Sequence, residues 1–162
     1  QRQMCIRDSL KGGVGKTTTA VNMAYELAAT HNQRVLLIDA DHQVNSSKFY
    51  AAPCDTSLAD LIDGRRSCYV DVVHHTVYRN LDVLPSDMSL LSADLSSVAL
   101  QDGKTRLRCI PGLCEAIKED NEYDYVIIDC PPAFTAASIS AITASNDIII
   151  PIKLDYYAMV QA

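Results

Sequence analysis

The sequence predicts an α/β protein, a doubly wound and mostly parallel sheet with helices on both faces. Three observations predict it. Short apolar runs of strand length alternate along the chain with longer stretches of helical period. The runs are apolar at consecutive positions, as in Val35-Leu36-Leu37-Ile38 and Val126-Ile127-Ile128, which marks strands covered on both faces. Two of the runs end on an aspartate, Asp39 and Asp129, and such sheets bind ligands beyond the carboxyl ends of their strands.

Bulk properties narrow the class. A chain of 162 residues suits one domain. At 48% hydrophobic and 21% charged, it has enough apolar material to fold rather than stay disordered. The net charge of −6 gives no global attraction to nucleic acid or anionic lipid, so DNA contact would need a local patch. No apolar run approaches the ~18–20 residues of a membrane span. Six cysteines are present, with no C-x-x-C pair. Cys109 and Cys114 are five apart without a histidine nearby, so reduced cytosolic thiols are expected rather than zinc.

The elements follow in order. Gln1 to Ser9 supplies only Met4, Cys5 and Ile6 among charges and amides. It does not read as a buried strand, and it is expected to be a foreign or disordered leader in place of the native one. Residues 10–162 are expected to form one domain, incomplete at its C-terminus. Lys11 to Thr18 is a glycine-rich loop. Thr18 to Thr30 carries Ala20, Met23, Ala24, Leu27 and Ala28 at helical spacing. Arg34 to Ile38 reads as a strand, and Pro53 to Thr56 as a turn. Ser57 caps a helix with Asp60 at N3 and Gly64 beyond its end. Arg65 to Asn80 reads as a short helix or strand plus loop. Leu81 to Leu84 is a strand. Ser86 or Asp87 caps a helix with Leu90, Leu91, Leu95 and Val98 on one face. Thr105 to Glu119 is helical but carries Pro111-Gly112, which predicts a kink or two pieces. Asp124 to Ile128 is a strand, Ala136 to Ala144 a small-residue helix, and Asp147 to Pro151 a strand.

The loop carries the chemistry. In Lys11-Gly12-Gly13-Val14-Gly15-Lys16-Thr17-Thr18 three glycines free the backbone to turn several N–H groups onto one point. Lys16 adds a cation and Thr17 a hydroxyl suited to Mg²⁺. The helix that follows directs its positive end at the same place. The pattern predicts a nucleotide triphosphate as ligand, with Gly12 to Thr18 as its cradle and Lys16 at the β- and γ-phosphates. The plain phosphate-loop pattern asks for glycine at position 10, where this chain has leucine, and Lys11 is an additional lysine. These eight residues resemble the deviant Walker A motif, KGGVGKTT, of the ParA/MinD group of P-loop ATPases. The resemblance extends over most of Leu10 to Tyr157. It implies ATP and Mg²⁺ as cofactors, and it implies that Lys11 reaches across an ATP-sandwich homodimer to the partner's phosphates.

Two strand ends complete the constellation. Asp129 closes Tyr125 to Ile128 and has the placement of a Walker B carboxylate for Mg²⁺. The Cys130-Pro131-Pro132 that follows resembles the family's second switch. Asp39-Ala40-Asp41-His42-Gln43-Val44-Asn45 resembles the family pattern D-x-D-P-Q-x-N. By that resemblance Asp41 orients the attacking water and Asp39 lies near the metal's outer shell. His42 stands where the family usually has proline. His74 and His75 are adjacent, so they point apart and make a poor metal pair. Small basic clusters at Arg65-Arg66 and at Lys104, Arg106 and Arg108 read as solvated faces, and Tyr156-Tyr157 as core packing.

The resemblance implies a cytoplasmic, nucleoid-associated ATPase switch. In the ParA branch a closed dimer holds DNA non-specifically, and a ParB-like centromere-binding protein stimulates hydrolysis during plasmid or chromosome partition. In the MinD branch ATP drives membrane attachment for division-site placement. Gln43 and Asn45 favour partition over membrane cycling. A non-hydrolysing binding module is a further alternative, opposed by Lys11, Asp41 and Asp129. The related iron protein of nitrogenase ranks last, because no Cys-Gly-Gly segment is present.

Overall fold

A computed structural model describes residues 1–6, 13–53, 55–92, 109–133 and 135–152. Lys11 and Gly12, the basic cluster at 104–108, Leu95 and Val98, and Tyr156-Tyr157 lie outside the described residues.

The described strands form one sheet in the order β3-β4-β2-β5-β1-β6. These are β1 (Arg2–Ile6), β2 (Val35–Asp39), β3 (His74–His75), β4 (Leu81–Leu84), β5 (Tyr125–Asp129) and β6 (Asp147–Ile149). Every neighbouring pair is parallel except β3 with β4, where His74 faces Val83 and His75 faces Asp82. The helices are α1 (Lys16–Tyr25), α2 (Asn45–Phe49), α3 (Leu58–Ile62), α4 (Cys109–Asp120) and α5 (Ala136–Ala144). Helix α1 runs on into a π-helical turn at Glu26–Thr30.

Alternation within each strand explains why both faces are apolar. Val35 and Leu37 of β2 pack with Ala20, Val21 and Ala24 of α1 on one side. Leu36 and Ile38 pack with Leu58, Ile110, Leu113, Ile117 and Ala141 of the other helices on the opposite side. Period-2 side chains on a strand covered on both faces leave β2 apolar from Val35 to Ile38.

Two local expectations are corrected. Arg2–Ile6 is a strand, paired to β5 and β6. Only Cys5 and Ile6 need to enter the two cores. Arg2 stays at the exposed end and pairs with Asp147 at 3.1 Å. Gln3 donates from Nε2 to the Cys114 carbonyl at 3.3 Å. The polar residues therefore sit where a strand tolerates them. Pro111-Gly112 does not divide α4, which runs unbroken from Cys109 to Asp120. Thr105 to Arg108, the start of the expected helix, lie outside the described residues. Helix α3 has the expected cap: Ser57 and Asp60 form a reciprocal capping box, and Gly64 follows at φ 71°.

Candidate functional site

Register builds the site. Asp39 and Asp129 are direct partners across β2 and β5, and Ile6 of β1 is Asp129's partner on the other side. Three strand ends therefore stand in one row. Gly13 and Gly15 take φ 80° and 96°, left-handed values that glycine adopts without penalty. A Cβ at either would meet nothing within 4 Å, so the requirement is conformational rather than spatial. Gly15 caps α1, and Lys16 opens it with its side chain buried.

A cavity of about 240 Å³ brings Gly13, Gly15, Lys16, Thr17 and Thr18 together with Asp41, Gln43 and Asn45. The loop's cation and hydroxyls thus face the carboxylate of the β2 tip. Pro132, from the segment after β5, also lines it. A larger cavity of about 420 Å³ opens at the opposite rim, among Arg34, His75, Asp82 and Tyr123. There His75 Nδ1 lies 2.8 Å from Asp82, and the Tyr123 hydroxyl donates to Asp82 at 2.8 Å.

The three acids of the carboxyl rim are all buried. Asp129 Oδ2 accepts a hydrogen bond from the Ser46 hydroxyl, while Oδ1 is buried and accepts none among the described residues. Burial raises the Asp129 carboxyl above its usual range; Ser46 and Thr17 oppose that, Asp41 adds to it, and the Lys16 charge lowers it. Asp39 is pushed up to about 6, chiefly by burial, against the Ser47 hydrogen bonds and with Asp129 adding repulsion. Asp41 Oδ1 accepts from the Gln43 N–H at 2.9 Å and lies 3.6 Å from His42 Nδ1.

An orphaned carboxylate oxygen beside a threonine hydroxyl suits a hard cation with oxygen ligands. Among the described residues no three His, Cys, Asp or Glu side chains converge as a metal cage. Magnesium needs no such cage, because it takes one or two protein oxygens and completes its shell with water and phosphate. Thr17 and Asp129 fit that role. Both oxygens of Asp39 are engaged by the loop: Oδ1 accepts the Asp41 N–H at 3.1 Å, and Oδ2 accepts the Ser47 N–H and hydroxyl at 2.9 and 2.7 Å. His74 and His75 contact different partners, Thr56 and Asp82.

Residues not singled out from the sequence matter here. Ser46 and Ser47 are fully buried in the first turn of α2. Val44 caps that helix at φ 63°, a left-handed conformation that costs a β-branched residue about 1–2 kcal/mol. The only sequence signal was position, three to six residues beyond Asp41.

A family profile described as an AAA domain matches residues 2–161. The chain is 40% identical over 154 residues to the chromosome partitioning protein ParA of Caulobacter vibrioides (strain NA1000 / CB15N), covering 92% of this chain and 55% of that protein. It is 38% identical over 152 residues to the sporulation initiation inhibitor protein Soj of Bacillus subtilis, covering 92% and 57%. The chain spans about half the length of these relatives. A solved structure of cobyrinic acid a,c-diamide synthase from Mycobacterium smegmatis with bound ADP and magnesium matches at a TM-score of 0.85 and 25% identity, over 99% of this chain and 64% of that one.

Proposed function

Because the chain belongs to the ParA/MinD family of P-loop ATPases, we propose that it is a Mg²⁺-dependent ATPase working as a dimerising switch in DNA partition. One observation carries the reading. The phosphate loop's Lys16 and Thr17 share a cavity with Asp41 of a neighbouring strand end, in front of a buried Asp129 that has an oxygen to spare.

Each residue then has a task. Backbone N–H groups from Gly12 to Thr18, with Val14 between the glycines, cradle the phosphates. Lys16 holds the β- and γ-phosphate oxygens. Thr17 and Asp129 would hold magnesium, with Asp39 behind them ordering the loop. Magnesium, when bound, neutralises charge developing on the transferred phosphoryl group. Asp41 orients the water for in-line attack. Lys11 reaches the phosphates of a second copy when two subunits close over ATP.

The name of the Caulobacter vibrioides relative, a chromosome partitioning protein, favours partition over membrane cycling. The partners are then a second copy of the chain, a ParB-like centromere-binding protein and non-specific DNA, in the cytoplasm at the nucleoid. No helix among the described residues is long and apolar enough to cross a membrane. The test is made on the intact protein. Hydrolysis of ATP that requires Mg²⁺, with retention on DNA in ATP and release in ADP, is the expected result. Retention on anionic vesicles instead of DNA would move the protein to the MinD branch. Absence of hydrolysis under all conditions would overturn the ATPase assignment.

A further inference from the structure

The loop from Asp41 to Ser47 has to hold a carboxylate in a fixed place, yet it passes through a left-handed turn at Val44. Its anchors lie at the start of α2. Ser47 donates to Asp39 Oδ2 twice, from its hydroxyl at 2.7 Å and from its N–H at 2.9 Å. The same hydroxyl accepts the Ser86 N–H at 3.2 Å, just past the end of β4. A hydroxyl has one proton to give, so donation to Asp39 and acceptance from Ser86 fix its rotor. Asp39 in turn accepts the Asp41 N–H on Oδ1 at 3.1 Å. The chain of contacts therefore runs from β4 through Ser47 and Asp39 to the backbone of Asp41. Ser46, one residue earlier, bonds to Asp129 instead.

We infer that Ser47 is the positioning residue for Asp41, acting through Asp39 to set where the Asp41 carboxylate stands in the nucleotide cavity. The inference rests on the ATPase reading for its kinetic consequence, but not for its structural one. Ser47 is fully buried and lines no part of the cavity, so its influence on the reaction is indirect. Without the hydroxyl, Asp39 keeps only the backbone donor on Oδ2, and the Ser86 N–H loses its acceptor. The Asp39 carboxylate can then rotate, and the Asp41 amide loses a fixed partner. Small misplacements of a reacting group reduce rate far more than they reduce binding.

The experiment compares Ser47→Ala with Ser47→Thr, which keeps the hydroxyl, in the intact protein. Ser47→Ala should lower kcat by about 100-fold while KM for ATP and the affinity for ADP stay within about threefold. Ser47→Thr should recover most of that rate. Amide hydrogen exchange in the nucleotide-free protein supplies a readout independent of activity. Protection at the Asp41 amide should be lost in Ser47→Ala and kept in Ser47→Thr. An Asp41 amide equally protected in both variants, or an unchanged kcat in Ser47→Ala, would overturn the inference. So would a parallel fall in kcat, ADP affinity and Tm, which is the signature of a general packing defect. If the wild type hydrolyses no ATP, the functional assignment fails, and the exchange measurement still decides the role of Ser47.

Discussion

The two rims of the sheet use the same residue type in opposite ways. At the amino rim, Asp124 meets Arg34 through three hydrogen bonds of 2.7, 2.8 and 3.2 Å, and Asp82 meets His75 and Tyr123. Asp124 is held down to about 2, chiefly by its hydrogen bonds to Arg34. At the carboxyl rim, Asp39, Asp41 and Asp129 crowd together in the interior. They receive hydroxyl and amide donors, and at Asp129 the Lys16 charge acts as a lowering influence. Burial raises Asp39 and Asp129 instead. One rim stores matched charge and closes the fold. The other gathers three buried acids around the single buried lysine among the described residues, Lys16, and excess buried carboxylate is costly unless it is paired or coordinates a cation.

The contrast breaks most completely at Lys16. Lys16→Ala removes the buried cation nearest the acids, so a triphosphate would add anion to anion. Nucleotide affinity should fall by about 100-fold or more, the scale of losing one partner of a buried charge pair. Unchanged affinity by calorimetry would mean that the carboxyl rim is not a phosphate site. Asp41→Ala is the next largest break. It removes an acid without touching the cradle, so ATP binding should persist while kcat falls by about 100- to 1000-fold, in the range of general-base losses. Normal turnover would remove Asp41 from the reaction.

The rims also differ in how far they could be read from residues alone. The glycine loop, Asp41 and Asp129 lie in contiguous patterns, so their nearness followed from placing each at a strand end. The capping box at Ser57 and Asp60 was equally local. The first strand was not legible. Arg2, Gln3 and Met4 look wrong for a buried strand until the sheet shows that Arg2 reaches solvent and Gln3 finds the Cys114 carbonyl. The continuity of α4 was not legible either, because Pro111-Gly112 signals a break that the helix does not make between Cys109 and Asp120. Ser46 and Ser47 were invisible for a different reason. A serine carries no mark of burial, and their partners lie 83 and 8 residues away along the chain. The pairing of Arg34 with Asp124, 90 residues apart, was hidden in the same way.

That pairing gives the mildest test of the contrast. Arg34→Ala leaves every residue of the nucleotide cavity in place, so it should lower Tm by a few degrees with kcat and nucleotide affinity unaltered. The direction of its pH dependence follows from Asp124. The folded carboxyl sits near 2, below the ~3.9 of an unfolded chain. Folding therefore gains from this group at all pH values above the unfolded pKa, and the gain is lost as pH falls through the folded one. The Tm difference between wild type and Arg34→Ala should accordingly be constant from neutral pH down to about 5, then shrink between about 4 and 2. Exposure of both side chains makes it sensitive to salt as well, since surface pairs are screened over about 10 Å at 0.1 M. A Tm gap that widened on acidification would place the stabilising charge elsewhere, and a loss of nucleotide affinity in Arg34→Ala would show that the two rims are not independent.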